Sequence, residues 1–240
     1  MQRGKRYSIR RLFGLTLVLA IVMAWLVTLS ELRRTQRRIS VASARTRMLE
    51  LNIDAIYSEK HRARNHGRGF LSGLKLDGCD FQGVTINAGD AAFQSTSLAG
   101  ANLQGATIAA GGSSFQSVSF DHADLRNAKL SATGSSFQVV TFVEADLRGA
   151  DLNGGNGAVF QAASFRGADL TGATIRCSGV AAFQVVDIDS ANFSNADLSS
   201  INADNLRDGY YSSPPKYSKK TQLPAEFDPQ QAGWTLVDDP

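Results

Sequence analysis

An all-β solenoid is the fold this chain predicts, and three regularities predict it. Phe-Gln recurs at residues 93–94, 115–116, 137–138, 160–161 and 183–184, every 22 or 23 residues. A fixed period in that range marks a unit that stacks along an axis. Within each long period the large apolar residues fall five apart, as in Phe137, Phe142, Leu147 and Leu152, or Phe115, Phe120, Leu125 and Leu130. Two residues before most of them stands a small one: Ala101, Ala106, Ala123, Ala128, Ala145, Ala150, Ala168, Ala173, Ala191 and Ala196. Neither a 3.6-residue helical stripe nor strict two-residue alternation sustains a spacing of five.

A chain that turns one corner every five residues does sustain it. Each large residue and the small one before it line the inside, and four sides close a square coil of 20 residues. Stacked at about 4.8 Å per coil, six coils make a rod of roughly 29 Å. Asp or Asn commonly precedes the inward Leu (Asn102, Asp124, Asp146, Asp151, Asp169, Asn192, Asp197), where a short polar side chain can bond a nearby amide and shape the corner. Gly100, Gly105, Gly149, Gly167 and Gly172 ease the same turns.

Ala-Asn-Leu at 101–103 and Ala-Asp-Leu at 123–125, 145–147, 150–152, 168–170 and 196–198 resemble the pentapeptide-repeat proteins, whose motif is Ala-(Asp/Asn)-Leu-x-x. The resemblance implies a right-handed quadrilateral β-helix over residues 69–206. An earlier, looser coil reads as Leu71, Leu76, Phe81 and Ile86.

Each coil exceeds 20 residues by two or three, and the excess always precedes the next Phe, at 111–114, 134–136, 154–159 and 177–182. Stacking aligns these insertions along one edge as a small-residue ridge. Gly111, Gly112, Gly134, Ser135, Gly154, Gly155, Asn156, Gly157, Ser178 and Gly179 are its candidate partner-binding residues, since insertions on a solenoid map to one face. The bland reading is that each insertion only makes room for the bulky Phe. The Gln after each Phe is expected to form an outward amide ladder.

The ends differ from the rod. Residues 1–70 carry fifteen Lys/Arg against four Asp/Glu, residues 71–206 six against thirteen, and residues 207–240 four against five. The basic balance therefore belongs to the N-terminal segment, and the acidic rod argues against direct nucleic-acid binding. A basic tail at 1–11 precedes an apolar stretch over 12–30, long enough for a transmembrane helix. The expected localisation is thus single-pass membrane, the N-terminus leaning inside and the side of the repeat domain open. A cleaved signal peptide is the competing reading. Arg33, Arg34, Arg37 and Arg38 follow as candidate contacts to anionic lipid. Residues 31–68 read as a basic helical linker and N-terminal cap, and 207–240 as a C-terminal cap or tail.

No metal-binding, nucleophile-elbow or phosphate-loop motif is present, so catalytic, cofactor and metal sites are each read as none. Cys79 takes an inward slot and Cys177 lies in an insertion, about four coils apart and too far to pair. Asp121 with Asp124, and Asp187 with Asp189, are the closest carboxylates, in turn-forming register. The expected function is a non-enzymatic scaffold at a membrane, with membrane lipid and an unidentified protein as partners. Two alternatives follow: from the resemblance, a DNA-mimic binder of a topoisomerase; from the carboxylates, an envelope enzyme.

Overall fold

The computed structural model describes residues 71–239. Its regular elements are β1 (Thr85–Asn87), β2 (Thr107–Ala110), β3 (Lys129–Ala132), β4 (Asp151–Asn156), β5 (Thr174–Ser178), α1 (Ala203–Arg207), β6 (Lys216–Tyr217) and β7 (Thr235–Leu236). Strands β1 to β5 form one parallel sheet in chain order, which is one wall of a coil. Their register places Ile86 against Ile108, Ile108 against Leu130, Leu130 against Leu152 and Leu152 against Ile175. Equivalent inward residues thus sit directly above one another.

Two further walls are ladders of single parallel bridges. One runs through Lys75, Ser97, Ser119, Thr141, Ser164, Asp187 and Tyr210, the other through Asp80, Asn102, Asp124, Asp146, Asp169, Asn192 and Lys216. Each ladder has seven rungs, so the β-helix makes about seven turns rather than the six expected. The additional turn is built where the five-residue rhythm has faded. Tyr210, Lys216 and Gln222 pair through their backbones with Asp187, Asn192 and Asp197, and backbone pairing needs no Leu.

The interior follows the predicted register. Phe137, Phe142, Leu147 and Leu152 have no exposed surface, and Val140, Ala145 and Ala150, two before the last three, are equally buried. Phe93, Phe115, Phe137 and Phe160 form a continuous stack with ring centroids 4.9, 4.6 and 4.8 Å apart. Phe120, Phe142 and Phe165 make a second at 5.1 Å. These separations match the rise of one coil, about 4.8 Å. The offset stack that aromatic pairs prefer is therefore set by the backbone ladder itself.

Corners depend on the predicted devices. Asp124, Asp146, Asp169 and Asn192 each accept the backbone N–H two residues ahead, at 3.1–3.3 Å. On the two bridge-ladder walls the backbone two residues past the inward side chain is left-handed, and Gly149 takes it without a Cβ penalty at φ 67°. Elsewhere the same position is held by His122, Asn127 or Glu144.

The C-terminal segment closes the last turn. Asn202 caps α1, its side chain accepting N–H bonds from Asp204 and Asn205 at 2.8 and 3.2 Å. Leu206 of this helix is buried 23 residues after Phe183, in the place of the next ring. Trp234 then stacks on Phe193 at 5.3 Å, with Phe227 edge-on at 5.1 Å.

The membrane placement expected from the sequence is corrected here. Among the described residues no helix is long and apolar enough to cross a membrane. Their one α-helix has five residues, which rise about 7.5 Å against the roughly 30 Å of a bilayer core. The apolar stretch 12–30, the linker 31–68 and the arginines Arg33, Arg34, Arg37 and Arg38 lie outside the described residues.

Candidate interaction surface

The insertions occupy one edge, and most of their length extends the wall they follow. β2 to β5 run on past the inward Leu or Ile with strand alternation, so that Ala110, Ala132, Gly154 and Cys177 form a second inward column of small residues. This places the Cys177 thiol inside the wall, where burial pushes its pKa up to about 12. A Cβ at Gly154 would overlap Val159 Cγ1 and lie 3.1 Å from its Cβ. Ser114 and Ser136 are buried, their hydroxyls donating to Gly89 O at 3.3 Å and Thr133 O at 2.7 Å. Among the described residues no buried side-chain polar atom is left unpaired.

The candidate ridge residues are brought together as a tight column rather than as projecting loops. A Cβ at Gly134 would stand 3.9 Å from Gly112 Cα, one at Gly157 3.4 Å from Gly134 C, and one at Gly179 2.7 Å from Gly157 O. Gly112 N–H donates to Asp90 Oδ1 at 2.9 Å, and a Cβ at Gly111 would overlap that oxygen. Gly154, Gly155 and Asn156 are strand residues of β4, and Ser178 ends β5 and donates its hydroxyl to Asn156 Oδ1. Ser135 lies at the turn between Gly134 and Phe137, and its carbonyl accepts from Gln116.

The edge holds strained backbone as well. Phe115, Phe137, Phe160 and Phe183 have φ of 57°, 56°, 55° and 63°. Left-handed geometry is an outlier for so bulky a residue, at about 1–3 kcal/mol each. Burial of the ring offsets it. Outside the Phe column the amide ladder is complete over four coils, with Gln94 donating to Gln116 at 3.0 Å, Gln116 to Gln138 at 3.0 Å and Gln138 to Gln161 at 3.3 Å.

Most telling is what this edge lacks. Residues 109–120, 131–143, 152–165 and 177–186 contain no Asp, Glu, Lys, Arg or His. The exposed valines lie within these runs: Val139 at 55%, Val180 at 88% and Val185 at 62%. Sequence reading marked the glycines and passed over these valines; the signal was available as the charge-free runs themselves.

The other walls carry the charge and spend it internally. Arg126 bonds Asp124 at 2.6 Å and approaches Asp146 at 3.6 Å, while Arg148 bonds Asp146 at 2.6 Å and approaches Asp169 at 3.8 Å. The Arg126 guanidinium holds the Asp124 carboxyl below its usual range, and Arg148 does the same for Asp146. Asp189 is lowered by the N–H of Ser213 and then by the Ser212 hydroxyl. Asp121 accepts from Val143 N at 3.0 Å, and Asp187 from Ser164 at 3.1 Å. Among the described residues no group of three or more His, Cys, Asp or Glu could hold a metal ion. Arg176 pairs with Asp151 at 2.8 Å, and His122 with Glu144 at 3.3 Å.

A sequence profile described as pentapeptide repeats matches residues 142–176 in eight copies. Those residues hold the Phe142, Leu147, Leu152, Phe165 and Leu170 corners. This stretch of the solenoid is made of pentapeptide repeats. Among solved structures the pentapeptide-repeat coil is similar to QnrB1, a plasmid-mediated fluoroquinolone resistance protein, at 15% identity over 70% of this chain and 92% of that one, TM-score 0.30. It is also similar to a pentapeptide repeat protein from the cyanobacterium Cyanothece 51142, at 19% identity over 71% and 98%, TM-score 0.23. A third, from the Arabidopsis thaliana thylakoid lumen, is 28% identical over 60% and 78%, TM-score 0.23. No curated protein sequence matches this chain.

Proposed function

We propose that this pentapeptide-repeat solenoid is a non-catalytic scaffold that docks a protein partner on its insertion edge. The observation that carries the reading is the charge-free strip with its exposed Val139, Val180 and Val185, on a rod whose other walls are charged. Interface cores are depleted in charged residues, and exposed apolar patches mark contact sites. The closely stacked glycines and the amide ladder tie successive coils together at this edge, and a pre-ordered surface loses less entropy on contact. The carboxylates are engaged by arginines, hydroxyls and backbone amides, which supports the non-catalytic half of the reading.

Val180→Lys and Val185→Lys in the full chain test it. Each should abolish co-purification of the partner and leave the melting temperature unchanged. A partner retained by both variants would place docking elsewhere. A second reading, a topoisomerase binder resembling duplex DNA, is favoured by the acidic balance of residues 71–206. It is weakened by the alternating Asp–Arg ladder, which neutralises the most regular acidic column. Salt-sensitive inhibition of DNA supercoiling by the purified chain would favour it over the scaffold.

A further inference from the structure

We propose that Asn153 is a site of spontaneous deamidation in the folded chain, while Asn156 three residues on is protected. The run 153–157 is Asn-Gly-Gly-Asn-Gly, with two Asn-Gly pairs. Such a pair is the least hindered for this reaction, because glycine sets no side chain beside the attacking amide. The amide nitrogen of the glycine, deprotonated by solvent base, attacks the Asn side-chain carbonyl carbon. A nitrogen–carbon bond forms, the bond to the side-chain nitrogen breaks, and ammonia leaves behind a cyclic imide. Water then opens the ring, giving aspartate from one carbonyl and isoaspartate from the other.

The two asparagines differ in how their reacting groups are held. Asn153 is exposed, and its Oδ1 accepts Gly155 N–H at 3.2 Å, which folds the side chain back over the Gly154 peptide. The β4–β5 register pairs Asn153 with Arg176 and then Gly155 with Cys177, so Gly154 is the extra residue of a bulge and falls outside the ladder. Gly155 itself is left-handed, at φ 67°. At Asn156 both groups are engaged: Oδ1 accepts the Ser178 hydroxyl, and Gly157 N–H donates to the Ser178 carbonyl at 2.9 Å. Aspartate at 153 would face Arg176 at the margin of the charge-free edge. The inference rests on this local geometry and stands apart from the docking proposal.

The test incubates the full chain at mildly alkaline pH and follows the tryptic peptide between Arg148 and Arg166, which contains both asparagines, by tandem mass spectrometry. Asn153 should convert at least about tenfold faster than Asn156, a barrier difference of about 1.4 kcal/mol. The two rates should converge in denaturant, and Ser178→Ala should raise the rate at Asn156. Conversion at Asn156 as fast as at Asn153 in the native chain, or no difference in either rate between native and denatured chain, overturns the assignment.

Discussion

Two walls of this rod and its insertion edge solve the same problem by different means. On the two bridge-ladder walls corners are made locally: an Asp, Asn or Ser accepts the amide two residues on, as at Asp124, Asp146, Asp187 and Ser119, and a left-handed residue follows. The side chains that make the turns also form the Asp–Arg ladder. At the edge the corner is made collectively. Buried serines supply missing hydrogen bonds, glycines from successive coils interlock, and a phenylalanine is held in a strained conformation because its ring is stacked on both sides. Local corners tolerate charge, since their polar groups face water. Past the first coil, where Asp90 accepts Gly112 N–H, the collective corner carries no charge, and the result is a neutral strip along an otherwise charged rod.

The most damaging break affects both regions at once. Leu147 is wholly interior, so Leu147→Asp buries an unpaired charge, and circular dichroism should show no cooperative unfolding transition. Normal melting would mean that the five-residue register is misread. Phe137→Ala strikes the edge alone. It removes a ring stacked on Phe115 and Phe160 and should cost about 3–5 kcal/mol in denaturant unfolding, reduced to the extent that strain at 137 is relieved.

Gly154→Ala is a finer probe of the collective corner. The added methyl overlaps Val159 and should cost about 1–3 kcal/mol as overpacking. Val159→Ala in the same chain should recover part of that loss, a coupling that a double-mutant cycle measures. Additive losses would show that the two positions are not packed as one unit.

The mildest contrast is electrostatic and belongs to the charged walls. Asp124, Asp146 and Asp189 have carboxyl pKa values lowered in the folded state. Their stabilisation is present above the unfolded value of about 4 and is lost as pH falls through the folded values. Melting temperature should therefore hold near neutrality and decline below about pH 4. Asp146→Asn should flatten that decline, whereas Val180→Lys, out on the edge, should leave its shape unaltered.

The same contrast explains what could be read from the sequence. The local corners were legible because each has a one-residue cause, such as Asp124 or Gly149, repeated in register with Leu125 and Leu147. The edge was legible as a place but not as a structure. Gly and Ser in 111–114 and 177–182 suggested loops, yet Ala110 and Cys177 continue the strand alternation of their walls. The seventh turn was hidden because Tyr210, Lys216 and Gln222 join it through backbone bonds alone. Leu206 kept the Phe period, but within a short helix whose signal was the Asn202 cap.

Photo-cross-linking tests the docking edge most directly. A photoreactive residue would be placed in turn at Val180 and Val185 on the edge, and at Glu144 and Arg166 on the charged walls, all four exposed. The edge positions should capture one protein species in common, and the wall positions should capture none of it. Capture of that species from Glu144 or Arg166, with none from Val180 and Val185, would contradict the assignment.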